Sequence, residues 1–200
     1  MTTVNLAELY APPNEMIVKA VLDHLLPFHL SYLKAATFFC LASGSAEGLD
    51  ASPRGGAAGF VHALDHKTVA FADWPGNNRI ASLSNLQQDD RIGMLFLFPG
   101  LDIFMRINGH AVISTNAPLL QSLAEGERLP KTAVVVKIDE VLFHCGKAIN
   151  RAKLWHPDAK LDRKTLPSPG QIVAAITGAD SGTARAMDEG YDTAMRGQLY

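Results

Sequence analysis

The sequence predicts a mainly β protein with peripheral helices, arranged as a small closed or partly closed antiparallel barrel. Three observations carry this expectation. Six apolar or alternating runs of strand length recur along the 200 residues, mostly one after another. The helical stretches between them are short. No regular strand–helix alternation runs through the chain, so a doubly wound parallel sheet is not expected. An apolar content of 48% with 19% charged residues describes a folded chain able to bury a core, and one domain over residues 1–200 is expected.

The elements follow in order. Asn14 or Glu15 opens a helix to about Leu26, with Ile17, Val18, Val21, Leu22 and Leu25 along one side. Pro27 interrupts it, and a second short helix at 28–34 completes an N-terminal helical segment of residues 1–35. Residues 36–42 (ATFFCLA) read as a buried strand, and residues 44–56, rich in Gly, Ser, Pro and Asp, as a loop. Residues 59–64 and 67–72 form a hairpin joined near Asp65-His66. A helix then carries Ile80, Leu83 and Leu86 on one face. Strands follow at 91–98 and 103–114, the second with a bulge or bend at Gly109. Asn116, Ala117 and Pro118 start a short helix. The last long strand is 132–143, and 144–154 turns into helix. Residues 156–200 form a polar tail with a modest helix at 171–177.

A net charge of −2 gives no global attraction to nucleic acid or an anionic membrane, so any anion site must be local. Cys40 and Cys145 form no CxxC; two reduced, buried thiols are expected, with one disulfide as the alternative. The N-terminus MTTVNLAELYAPPNE has no basic flank and no continuous apolar stretch, so no signal peptide is expected and the chain reads as cytoplasmic. Motifs for dinucleotide, P-loop, zinc-protease and serine-hydrolase chemistry are missing. The seven histidines lack metal-ligand spacing, so no metal site is expected.

Three stretches could carry chemistry. In DWPGNNRIASLSNL (73–86), Asn77 or Asn78 can cap the helix, and Arg79 falls in its first turn. A cation there is disfavoured by roughly 0.3–1 kcal/mol unless an anion compensates. The N-terminal N–H groups, Arg79 and the Ser82 hydroxyl together describe an anion pocket. A plain capped turn with Arg79 paired to Asp73 or solvent fits the same letters. Ser52-Pro53-Arg54-Gly55-Gly56 sets a second arginine on backbone that lets a ligand approach closely. In a barrel, this loop and the turn flank one hairpin, so Arg54 and Arg79 could meet one phosphate. His144-Cys145-Gly146-Lys147, with Arg151 and Lys153 after it, is the third; a thiol beside a lysine suggests a nucleophile, but no His-Asp partner is identifiable, and a ligand-facing Lys147 or a structural corner are the alternatives.

Taken in order, SPRGGAAGFV (52–61), TVAFADWPGNNRIASLSNL (68–86), IGMLFLFPG (92–100), RINGHA (106–111) and FHCGKAINRAKLW (143–155) resemble the FMN-binding split-barrel proteins related to pyridoxamine 5'-phosphate oxidase. The likeness extends in particular to a bacterial branch of FMN-dependent enzymes of that class. It implies an antiparallel, six-stranded FMN-binding split β-barrel that forms a homodimer with flavin at the interface. It also implies that Arg54 and Arg79 hold the FMN phosphate, with polar contacts from Asn77 and Asn78. Phe60, Val61 and His62 would run along the isoalloxazine edge, and Ala72-Asp73 would lie beneath it. No catalytic side chain is implied. The implied activity is an FMN-binding oxidoreductase acting on a small molecule; a flavin, deazaflavin or haem carrier on the same barrel is the alternative. The oxidase's C-terminal substrate-binding residues have no counterpart in GYDTAMRGQLY, so the likeness extends to FMN rather than to a vitamin B6 substrate.

Overall fold

Among the described residues seven strands, one more than the sequence suggests, make a single antiparallel sheet. The computed structural model describes residues 4–197. The strands are β1 (Phe38–Ser45), β2 (Gly48–Gly55), β3 (Val61–Ala63), β4 (Thr68–Asp73), β5 (Arg91–Leu97), β6 (Ile103–Ser114) and β7 (Thr132–Cys145). Their order is β2-β1-β5-β6-β7-β4-β3, with β2 and β3 at the edges, so the sheet is open where a closed or partly closed six-stranded barrel was expected.

The additional strand is β2, which the sequence presents as a loop. It pairs with β1 along its whole length, from Phe38↔Gly55 to Ser45↔Gly48, through a two-residue turn at Ala46-Glu47. Its letters mislead for two reasons. Pro53 is tolerated because β2 is an edge strand. Its inward positions, Asp50, Ser52 and Arg54, are polar and lie opposite Ser43, Leu41 and Phe39, so no apolar alternation marks the strand.

Other boundaries also shift. The first expected helix is only α2 (Glu15–Lys19), after the four-residue α1 (Leu6–Leu9); Asn14 caps α2 by accepting from the Met16 N–H at 2.8 Å. Beyond it the backbone leaves the helical path, because Leu22 and Val141 exchange both N–H···O bonds, at 3.0 and 2.7 Å. Pro27 begins α3 (Pro27–Ala35) rather than only ending what precedes it, as proline at a first helical position can. Within α3, buried His29 accepts from the Leu26 N–H through Nδ1 at 3.0 Å.

The helix α5 (Ala117–Ser122) matches its sequence signals, Asn116 capping it by accepting from Leu119 at 3.1 Å, whereas α4 (Ala81–Gln88) is present but starts later than its signals suggest. Gly109 does mark a bulge: the β6–β7 register shifts between Asn108 and Gly109. A Cβ at Gly109 would stand 2.0 Å from the Lys137 carbonyl oxygen, so glycine is required there. On the inner face of the sheet, Leu33 of α3 and Leu86 of α4 join Phe39, Phe71, Phe96 and Met105 in one core. The opposite face of β1 and β2 is open: Leu49 is 93% exposed. Cys40 alternates onto that face, so both cysteines are free and exposed rather than buried.

Contacts divide the chain into two compact units, residues 1–148 and 149–200. The sheet belongs to the first. α6 (Lys147–Ala152) follows β7 across the division. In the second unit the expected short helix is α7 (Pro169–Thr177), and the expected polar tail contains a further helix, α8 (Ser181–Gly197). Gly170 lets the Ala184 carbonyl approach, and the Asp188 carboxylate accepts from the Gly170 N–H at 2.7 Å and from the Ser168 hydroxyl. These close contacts hold α8 to α7 despite its polar composition.

Candidate functional site

The connection from β4 to α4 builds part of a cleft of about 310 Å³. Asp73 ends β4, and the Asn77 side-chain oxygen accepts from the Arg79 backbone N–H at 2.9 Å. Asn78 adopts the left-handed region at φ 59°, which asparagine tolerates better than most residues. Both asparagines therefore shape the turn itself. α4 begins after Ile80 with no side-chain cap, so Arg79 stands just before the helix, not in its first turn, and neither asparagine caps it. The Arg79 side chain is exposed and lines the cleft.

The second contribution comes from β2. Pairing of Arg54 with Phe39 turns Arg54 to the inner face, where α4 packs against β1 and β2. Its Nη1 donates to the Ser52 hydroxyl at 2.6 Å and the Pro53 carbonyl at 3.1 Å, and its Nη2 donates to the Ser82 hydroxyl at 3.3 Å. Buried Ser82 in turn donates to the Asp50 carboxylate at 2.5 Å. The Asp73 carboxylate lies 4.0 Å from Nη2. Burial pushes the Asp73 pKa up, against the opposing pull of the Arg54 charge. The Arg54 guanidinium is thus fixed in place before any ligand arrives.

The third contribution is the start of β7. Asp73 pairs with Thr132, which sets Thr132 and the preceding Lys131 on the cleft. Two buried polar atoms on this lining, Arg54 Nε and Thr132 Oγ1, have no hydrogen-bond partner. An unsatisfied buried group costs about 1–3 kcal/mol, so both suit a site that an oxygen-rich ligand completes.

Of the residues the sequence singled out, Arg54, Asp73, Asn77, Asn78 and Arg79 line this cleft. Ser82 lies behind Arg54 and reaches the cleft only through it. Phe60 stacks on Phe39 at 5.7 Å between centroids, and Val61 is buried in the core. His62 is half-buried on β3, and Lys147 is exposed at the start of α6; neither lines the cleft. Asp50, Lys131 and Thr132 were missed. The signal for Asp50 was its place two residues before Ser52, visible once β2 is a strand. Lys131 and Thr132 are brought in by the β4–β7 register alone. A larger depression of about 520 Å³, lined by Leu49, Gly93 and His110 among others, holds none of the expected site residues. Among the described residues no helix is long and apolar enough to cross a membrane.

Residues 25–145, more than half of the chain, match the family model described as pyridoxamine 5'-phosphate oxidase. No curated protein matches the sequence. Several solved structures are similar at low identity. HupZ of Group A Streptococcus is 19% identical over 58% of this chain and 92% of its own, with a TM-score of 0.47. An FMN-binding protein from Syntrophomonas wolfei is 14% identical over 64% of this chain and 86% of its own, with a TM-score of 0.43. General Stress Protein 26 from Bacillus anthracis is 10% identical over 56% and 88%, also with a TM-score of 0.43.

Proposed function

The chain belongs to the pyridoxamine 5'-phosphate oxidase family, and from that premise we propose that it binds FMN and acts as an FMN-dependent oxidoreductase on a small molecule. The observation that carries this reading is the pairing of Arg54 and Arg79 on one cleft whose lining holds two buried polar atoms without partners. Those atoms and cations fit the oxygen-rich, dianionic phosphate of FMN. Arg54 would bind the phosphate as a fixed guanidinium, held by Ser52, Ser82 and, through Ser82, Asp50. Arg79 would close on it from the turn that Asn77 and Asn78 shape. When bound, the flavin supplies the redox chemistry, accepting and returning electrons, while the protein positions and tunes it. No side chain need act as a nucleophile.

A cleft of about 310 Å³ stands at the small end of ligand sites, enough for a phosphate and part of a ribityl chain. A second copy of the chain would complete the flavin site, so a cytoplasmic homodimer is part of the reading. The test is the absorbance spectrum of the purified protein, before and after addition of FMN. The expected result is flavin bands that remain with the protein through gel filtration and bleach when NADH or NADPH is added anaerobically, then return with a substrate. Retained bands without turnover would make the protein a carrier. No flavin uptake would overturn the reading.

A further inference from the structure

We propose that Lys131 and Thr132, at the start of β7, are the residues that make the cleft selective for a terminal phosphate monoester over a phosphodiester or an uncharged hydroxyl. The inference rests on the FMN reading for the identity of the ligand, but its geometry is independent of it. Three cations, Arg54, Arg79 and Lys131, line the cleft with one carboxylate, Asp73. They leave two net positive charges, and without Lys131 there would be one. A phosphate monoester carries about −1.5 to −2 near neutral pH, whereas each phosphorus of a diester carries a single negative charge. Lys131 is therefore the residue whose charge matches the monoester and exceeds what a single diester phosphorus seated in the cleft requires; in FAD the second negative charge sits on the neighbouring phosphorus.

Thr132 adds the hydrogen bond. Its Oγ1 is buried and unpartnered on the cleft lining, directly across the β4–β7 pair from Asp73. Asp73 sits 4.0 Å from Arg54, so the β7 wall and the Arg54 wall meet at this carboxylate. A phosphate between them would receive Arg54 from one strand and Thr132 from the other. Lys131 is exposed and its ammonium is free to follow the phosphate. Monoester selection thus falls to β7, and phosphate anchoring to Arg54 and the β4–α4 turn.

The experiment titrates the full-length protein with FMN, FAD, riboflavin and inorganic phosphate, reading flavin fluorescence quenching and, for phosphate, thermal stabilisation. Wild type is expected to bind FMN at least tenfold more tightly than FAD. Lys131→Ala should weaken FMN and phosphate about tenfold, narrow the FMN-to-FAD gap and leave riboflavin unchanged, while Lys131→Arg restores the gap. Thr132→Val should weaken FMN and phosphate severalfold, and Thr132→Ser should restore both. If Lys131→Ala and Thr132→Val bind FMN and phosphate like wild type while Arg79→Ala does not, the β7 wall is wrong and the FMN reading stands. If wild type binds phosphate, weakened by Lys131→Ala, but no flavin, the FMN reading fails and the wall stands. Binding of neither phosphate nor FMN by wild type overturns both.

Discussion

Arg79 and Arg54 line the same cleft, yet they answer to different physics. Arg54 is held by Ser52, Pro53 and Ser82, so its position is part of the fold. Truncating it strands Asp50 and Asp73 beside a partly dry seam, and a loss of binding would be confounded with a loss of packing. Arg79 is exposed, and its side chain has no hydrogen-bond or ion-pair partner among the described residues. Arg79→Ala should therefore leave unfolding free energy within about 0.5 kcal/mol of wild type, as for a surface substitution. FMN binding should weaken by about 1.5–3 kcal/mol, the scale of hydrogen bonds to charged groups. Chemical denaturation and flavin titration on the same preparation check both halves. The sequence made Arg79 conspicuous because a cation in a helix's first turn needs an anion. The structure places it two residues before the first helical residue, Ala81, since Asn77 folds back on the Arg79 N–H instead of capping. The residue was legible from its surroundings, but the local reason was not.

At the scale of elements, what the letters revealed depended on whether one strand face is apolar. β6 and β7 declared themselves through long apolar runs, and Gly109 through its interruption of one. β2 did not, because its inner face is the polar seam that holds Arg54. The site and the misread element are thus the same feature. Lys131 and Thr132 were illegible for a related reason: register between β4 and β7, not sequence proximity, sets Thr132 opposite Asp73. Gly109→Ala tests the bulge. With a Cβ 2.0 Å from the Lys137 carbonyl, it should destabilise the protein by at least about 1–3 kcal/mol, measured by urea unfolding.

Two histidines on these elements should respond to pH in opposite directions. Burial and the His24 charge lower the His29 pKa, and its Nδ1 must stay neutral to accept from Leu26. The unfolded chain then takes up a proton more readily than the folded one. The contribution of His29 is complete above the ordinary histidine value of about 6.5 and is lost as pH falls below it toward the lowered folded value. His110 is raised, first by its hydrogen bond to Asp90 and then by the Asp90 and Asp139 charges; its ring nitrogens lie 2.7 and 3.2 Å from those carboxylates. Its contribution is present below about pH 6.5 and is lost as pH rises through the raised folded value. His110→Gln should accordingly lower the thermal midpoint at about pH 6 and leave it unchanged at about pH 9. An equal loss at both values would remove the charge argument.

For the whole molecule, the open sheet matters more than the strand count. Helices α3 and α4 cover the inner face, whereas the outer face of β1 and β2 carries Leu49, 93% exposed and lying over Gly44, beside exposed Ala51 and Pro53. An antiparallel sheet with a solvated face normally alternates polar residues outward. The proposed homodimer would cover this face as well as complete the cleft, and Leu49→Glu should then shift the protein from dimer to monomer in sedimentation velocity while far-UV circular dichroism stays native. An unchanged dimer would put the interface elsewhere. With a net charge of −2 overall, the cleft is a local cationic patch on a slightly acidic molecule, so attraction of a phosphate depends on those side chains and not on a global field.

The phosphate of a flavin is the anion proposed for this patch, and FMN and riboflavin differ by that group alone. Isothermal titration of the wild-type protein should show FMN bound more tightly by about 3 kcal/mol or more, roughly a hundredfold or greater ratio of dissociation constants. Equal affinity for the two flavins would contradict the account, because it would leave Arg54 and Arg79 with no anion to hold.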